Sequence, residues 1–312
     1  MNKKVPRIMR LIRFHVPGKG IRMGLLESDN VYDLTAINAT LFRSFQSMLE
    51  HSYSVRLNIE EVIRRELQEY GEEPPSLSYL EIEKNPPSPL NIFLEIPHDP
   101  PEVWGCGVTY LQSRKAREDE TVVKGIYDRV YEAIRPEVFF KATSSRCVGP
   151  NEPICIRSDS KWMVPEPELA FILGRNREIV GYTIGNDVSA RDIERENPLY
   201  LPQAKIFKGC CALGPAIATR ETVKDPRNLK IRCTIQRNGE IVFESETTTS
   251  HIKRSLDELV EYICRDNPVP PGTAVLTGTG IIPPDDFTLK DRDIVSIEIE
   301  NIGVLRNPVL QL

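Results

Sequence analysis

The sequence predicts an α+β protein: a larger C-terminal domain with a mainly β core, carrying a smaller N-terminal α+β domain. Three observations predict it. Short alternating or wholly apolar runs bounded by Gly, Pro, Asn and Asp outnumber the helical patterns. The stretch Lys84–Pro101 holds Pro86, Pro87, Pro89, Pro97, Pro100 and Pro101, too many for a regular element, and divides the chain into residues 1–98 and 99–312. Near the far end, Arg237-Asn238-Gly239 separates two strand-like runs, and Asn-Gly is the preferred dipeptide of a type I′ hairpin.

Residues 8–33 read as a meander, with Pro17-Gly18-Lys19-Gly20 and Ser28-Asp29-Asn30 as its turns. Helical patterns follow near 41–50 and 57–70, the second stopped by Gly71-Glu72-Glu73-Pro74-Pro75. Val103–Tyr110 is a strand whose two glycines admit close backbone approach. One amphipathic helix is expected from Ser113 to Arg135, with Val122, Ile126, Val130 and Ile134 on its apolar side and a charged first turn reaching Glu120. Pro165 and Pro167 force an extended segment that continues as the buried strand Leu169–Leu173, and Ile179–Gly185 is a strand ending in Asn186-Asp187. Lys230–Gln236 and Glu240–Glu246 are the hairpin arms. Ser255 and Glu258 have capping-box spacing and open a helix that Asn267-Pro268 ends. Ala274–Leu276 and Ile294–Ile299 complete the strands, and no internal repeat is visible.

Composition excludes several function classes. The net charge of −5, from 40 basic and 45 acidic residues distributed along the chain, offers no basic face to nucleic acid or an anionic membrane. No run reaches the ~18 apolar residues of a membrane-spanning helix, and Arg10, Arg13 and His15 interrupt the apolar run a signal peptide needs. Seven cysteines without CxxC spacing suggest free thiols in a reducing, cytoplasmic setting. The vicinal Cys210-Cys211 could be a redox site, but free cysteine is more often a small buried hydrophobe.

Chemistry concentrates at Glu166-Pro167-Glu168. In an extended chain these carboxylates share a face and repel each other unless something positive lies between them; solvated acids on a strand edge are the plain alternative. Asp187, at the end of the next strand, could join them. Oxygen ligands with no His or Cys nearby favour Mg²⁺, Mn²⁺ or Ca²⁺. Lys205 or Lys208 could balance the remaining negative charge, and spacing does not choose between them.

These motifs resemble those of the fumarylacetoacetate hydrolase superfamily: Glu166 and Glu168, Asn186–Asp192, Lys205 nine residues before Gly214-Pro215, and Thr277–Thr279, in family order. The resemblance implies a mixed β-roll, homodimers or homotetramers, and a Mg²⁺ ion on Glu166, Glu168 and Asp187 that chelates a 2-oxo acid. It selects Lys205 as the family lysine and implies substrate contacts from Tyr110, Arg191 and Thr279. Hydrolytic members carry Asn-Tyr-x-x-His where this chain has Thr109-Tyr110-Leu111-Gln112-Ser113, so the histidine that activates water is absent. Glu194 lies where several hydrolases hold a glutamine and could move protons. The 2-keto-3-deoxy-pentonate dehydratases are similar more extensively, through Val103–Gly107, Arg135–Thr143, Glu196–Gln203 and Gly209–Ala212. The expectation is therefore a dehydratase in which Lys205 and Glu194 serve catalysis, with Glu118–Glu120 weaker candidates and Lys141 either packing or pairing. Acylpyruvate hydrolysis or an oxaloacetate-type decarboxylation or isomerisation is the rival, and a non-catalytic binding protein the third reading.

Overall fold

A computed structural model describes residues 8–120 and 126–312 of the chain. Strands β1 (Arg10–Val16), β2 (Gly20–Glu27) and β3 (Asn30–Asp33) form the expected meander. Helices α1 (Phe45–Val55) and α2 (Ile59–Tyr70) follow, each with a side-chain N-cap: Ser44 accepts from the Ser47 N–H, and Asn58 and Glu61 form a reciprocal capping box. Strands β4 (Ser76–Ser78) and β5 (Phe93–Glu95) complete this region. The second is a short element inside the proline-rich stretch, permitted because no proline lies between Leu90 and Ile96.

Beyond residue 98 come β6 (Val103–Gly107), α3 (Leu111–Glu120), α4 (Ile126–Glu132) and β7 (Glu137–Ala142). The single helix expected over Ser113–Arg135 is thus present as two segments, and Val122 and Val123 lie outside the described residues. Its apolar side does not extend to Ile134, which is 86% exposed. Two cations of one short loop hold this end instead: Arg254 donates to the carbonyls of Ala133 and Ile134, and Lys253 to that of Tyr131. The centre is built from β8 (Pro167–Leu173), β9 (Ile179–Asp187), α5 (Arg191–Glu196), α6 (Leu201–Lys205) and β10 (Cys211–Thr219). Then follow the hairpin β11 (Lys230–Arg237) and β12 (Glu240–Thr248), α7 (Leu256–Cys264), β13 (Ala274–Leu276), β14 (Ile294–Ile299) and β15 (Gly303–Gln311). Asn238 and Gly239 both have positive φ, as a type I′ turn requires. Helix α7 stops at Cys264, three residues before Asn267, because Asp266 turns into the left-handed region.

Among the described residues, twelve strands join in one sheet with the path β4-β3-β2-β1-β10-β9-β8-β13-β6-β7. The meander enters it through a short ladder, Arg10 opposite Ala218 and Leu11 opposite Ile217. A second sheet of five strands carries β12-β11-β14-β15. The main core fills the space between these sheets with residues such as Leu169, Phe171, Ile231 and Ile297. A separate core under α1 and α2 includes Ile172 and Ile217, so the central strands bury both faces and read as continuous apolar runs. No helix among the described residues is long and apolar enough to cross a membrane.

Candidate metal centre and active site

The sheet pairing brings the acids together. Pro167 opens β8 opposite Asn186, where its missing N–H costs no ladder bond. Just before it, the Glu166 carbonyl accepts from the Asp187 N–H at 3.0 Å, and the Glu166 N–H donates to Asn186 Oδ1 at 3.2 Å. Glu166 and Asp187 are thereby tied side by side. Glu168 projects to the same place two residues later, and carboxylate oxygens of all three lie within 4.8 Å of one another, all buried. The strand β13 arrives next to β8 and ends in Thr277-Gly278-Thr279. Gly278 has φ +89 and its N–H donates to Glu168 Oε2; a Cβ there would collide with the Thr109 side chain.

Cations surround the acids. Lys205 Nζ donates to Glu166 Oε2 and Asp187 Oδ2 at 2.9 Å each and to Ser189 Oγ at 2.6 Å. Lys141, fully buried on β7, pairs with Asp187 Oδ1 and donates to the carbonyls of Val188 at 2.9 Å and Lys205 at 2.6 Å. Arg191 reaches Glu166 Oε1 at 3.3 Å. Burial, then the Asp187 and Glu166 charges, push Glu168 well above the usual carboxylate range, against the pull of Lys205 and the Gly278 N–H. Burial is the largest influence on the Lys141 ammonium and opposes it, but the Asp187 carboxylate together with Cys210 and Cys211 raises its pKa overall.

The acids open into a small cavity lined also by Glu137, Phe139, Glu194, Lys205, Ser113 and Thr279. Of the residues expected from sequence, Glu166, Glu168, Asp187, Lys205, Glu194 and Thr279 meet there. Arg191 and Tyr110 lie behind the wall. Arg191 is packed on Glu166, while the Tyr110 ring sits under Gly280, its buried hydroxyl raised by desolvation and by the Glu168 charge. Glu118 on α3 is half-buried and does not line the cavity. One residue on the cavity escapes a reading of the sequence, and another, Lys141, is left open by it. Glu137 lines the cavity because it lies opposite Gly107, where a Cβ would strike its carboxylate. Lys141 pairs rather than merely packs. The only signal for Glu137 is the second glycine of Gly105-Cys106-Gly107, whose partner no local pattern reveals.

The donor set suits a hard divalent ion. One ion bonded at about 2.1–2.4 Å spans up to about 4.2–4.8 Å between its oxygens, which these carboxylates match. Among the described residues, five carboxylates (Glu137, Glu166, Glu168, Asp187, Glu194) face three cations (Lys141, Arg191, Lys205). The difference is the charge of one divalent cation.

The family model for the fumarylacetoacetate (FAA) hydrolase C-terminal domain matches residues 102–310. The chain belongs to this family. Family relatives include a 2-dehydro-3-deoxy-D-arabinonate dehydratase of Saccharolobus solfataricus, 52% identical over 70% of this chain and 75% of its own length. A probable 2-keto-3-deoxyxylonate dehydratase of Haloferax volcanii is 53% identical over 69% of this chain and 74% of its own. A solved 2-keto-3-deoxy-D-arabinonate dehydratase complexed with magnesium and 2,5-dioxopentanoate superposes with a TM-score of 0.78 at 41% identity, covering 97% of this chain and 99% of that one. The α+β family fold, with its mixed sheets, is the fold expected from the sequence.

Proposed function

We propose that this protein is a magnesium-dependent dehydratase of a 2-keto-3-deoxy sugar acid, such as a 2-keto-3-deoxy-pentonate, giving 2-oxoglutarate semialdehyde (2,5-dioxopentanoate). The observation that carries it is the set of groups on the cavity: carboxylates and one lysine surround the metal triad, and none of the histidines, His15, His51, His98 and His251, lines it. Ser113 stands where a hydrolase of this family has its water-activating base, so the residues present move protons on the substrate without an imidazole to activate water. The dehydratase relatives support the same reading.

Glu166, Glu168 and Asp187 hold the ion. When bound, Mg²⁺ acts as a Lewis acid toward the carboxylate and keto oxygens of a 2-oxo acid and makes the neighbouring C3 proton more acidic. Lys205, with three N–H donors on Glu166, Asp187 and Ser189, acts as a fixed positive charge near the keto oxygen rather than as a base. Glu194 and Glu137 are the carboxylates placed to take the C3 proton and to protonate the departing C4 hydroxyl. Water then leaves, and transfer of hydrogen from C5 back into the carbon chain turns the C5 alcohol into the aldehyde. Thr279 on the wall contacts the substrate, and Arg191 and Tyr110 support it from behind. The chain acts in two units, 1–98 and 99–312, in the cytoplasm, as a homodimer or homotetramer, with no nucleic-acid or membrane partner.

A mitochondrial oxaloacetate tautomerase of Xenopus laevis, 30% identical over 97% of this chain and 90% of its own length, supplies the competing chemistry. Purified protein with Mg²⁺ is therefore offered 2-keto-3-deoxy-pentonates, oxaloacetate and acetylpyruvate. Semialdehyde formation that EDTA abolishes is the expected result. Faster turnover of oxaloacetate, or acetylpyruvate cleavage without semialdehyde, rejects the dehydratase reading.

A further inference from the structure

All seven cysteines are free thiols, and four of them gather behind the metal triad. Cys147 lies directly opposite Cys211 in a parallel pairing with β10, and its thiol donates to the nearby Thr143 carbonyl at 3.5 Å. Cys155 packs on Gly209, beside Cys210. Residues directly paired on adjacent strands are close enough for the Cα separation of about 4.4–6.8 Å that a disulfide needs. Cys211 is fully buried, whereas Cys147 is only half-buried and gives an oxidant its way in. The vicinal Cys210-Cys211 is not the pair: Cys210 precedes the strand and directs its sulfur toward the Lys141 carbonyl.

The pair is wired to the metal ligands. Cys211 is opposite Asp187 in the β9–β10 ladder, and the Val188 N–H donates to the Cys210 carbonyl at 3.0 Å. Lys141, whose carbonyl receives the Cys210 thiol, pairs through its ammonium with Asp187. A change in the strand position of Cys211 is therefore felt at Asp187.

We propose that Cys147 and Cys211 are a redox-sensitive dithiol which a peroxide closes to a disulfide, loosening the metal site next to it. The atoms balance. The Cys147 sulfur attacks hydrogen peroxide, the O–O bond breaks, and water leaves with formation of a sulfenic acid. The Cys211 sulfur then displaces the sulfenic oxygen, which departs as a second water. Two thiols lose two hydrogens and two electrons, and the peroxide is reduced. A disulfide between adjacent strands is strained and reopens with a dithiol reductant.

The test treats the full-length protein with hydrogen peroxide, then maps cross-linked peptides by mass spectrometry and titrates Mn²⁺ binding. The expected result is a peptide pair joined through Cys147 and Cys211, lighter by two hydrogens. Mn²⁺ affinity falls about 10- to 100-fold, the usual cost of disturbing the groups that orient metal ligands, and dithiothreitol restores it. Cys147→Ser, outside the site, binds Mn²⁺ as the reduced protein does and resists the oxidant. Absence of that cross-link, an equal loss of affinity in Cys147→Ser, or unchanged affinity in fully cross-linked protein each overturns the proposal. Reduced protein that binds no Mn²⁺ rejects the metal reading above, a separate outcome, and the peptide map still decides whether the dithiol closes.

Discussion

Glu166-Pro167-Glu168, at the start of β8, has a counterpart in Glu244-Ser245-Glu246 on the hairpin strand β12. Both place two carboxylates on one face of an extended chain. On the hairpin, Glu244 pairs with Arg232 and Glu246 with Lys230 at 2.7 Å, and all four side chains are 42–61% exposed. At the centre, Glu166 is 6% exposed, Lys205 is 3%, and a third acid, Asp187, joins from the next strand. Water screens the first pair and its partners can come and go. Around the second there is no solvent to do this, so the like charges need fixed cations or a metal ion. Spacing makes the two pairs alike. Burial makes one of them a site.

The comparison is broken most directly by neutralising one acid in each pair. Glu168→Gln removes a metal ligand, and because a Lewis-acid metal supplies several kcal/mol of transition-state stabilisation, turnover is expected to fall on the order of 10³-fold. Glu246→Gln leaves kcat and KM unchanged. Equal losses in the two variants would mean that burial does not separate the pairs. Metal removal attacks the same difference without mutation: EDTA abolishes turnover, Mg²⁺ restores it, and far-UV circular dichroism stays constant because the apolar cores hold the fold.

The cations provide a smaller, structural version. Lys141→Met strips a buried partner from Asp187 and leaves the carbonyls of Val188 and Lys205 without their donor. A loss of about 3–5 kcal/mol in chemical denaturation is expected for breaking a buried pair. Lys230→Met on the hairpin leaves the midpoint unmoved.

Histidines extend the contrast to pH. His98 is buried, its Nε2 bonded to the Gly272 carbonyl at 3.0 Å, and burial lowers its pKa from 6.5 to about 4. Above pH 6.5 neither folded nor unfolded chain holds this proton. As pH falls toward 4 the unfolded chain takes it up and the folded one does not, so stability drops through that window and levels off below it. The cost between pH 7 and pH 5 is about 2 kcal/mol, from ~1.4 kcal/mol per pH unit. Replacing His98 with Gln removes this part of the pH dependence in denaturation curves, whereas His251→Gln, on an exposed residue, does not.

Much of this was legible in the chain. Asn238-Gly239 and Ser255/Glu258 act within a few residues, so their hairpin and helix start could be read locally. Glu166, Glu168 and Asp187 could be read because a short turn joins their strands, leaving a single plausible pairing. The segment after Ser113 was harder. Its apolar spacing suggested one helix, but Ile134 finds solvent and the cations at 253 and 254 hold the chain end, an arrangement set by a loop more than a hundred residues away.

The sequence by itself determined the α+β class and the acidic triad, because each depends on residue type or on neighbours close along the chain, and its resemblance to the family selected Lys205 and marked the absence of the hydrolytic histidine. Only the tertiary structure decided that Glu137 lines the cavity beside the acidic triad, that Lys141 braces Asp187, that the Gly278 N–H holds Glu168, and that Cys147 lies opposite Cys211. Those contacts depend on β6, β7, β13 and the 147–148 strand pairing with partners far away in sequence. Which strands lie side by side is settled by burying the whole apolar surface at once, and no local pattern carries that information.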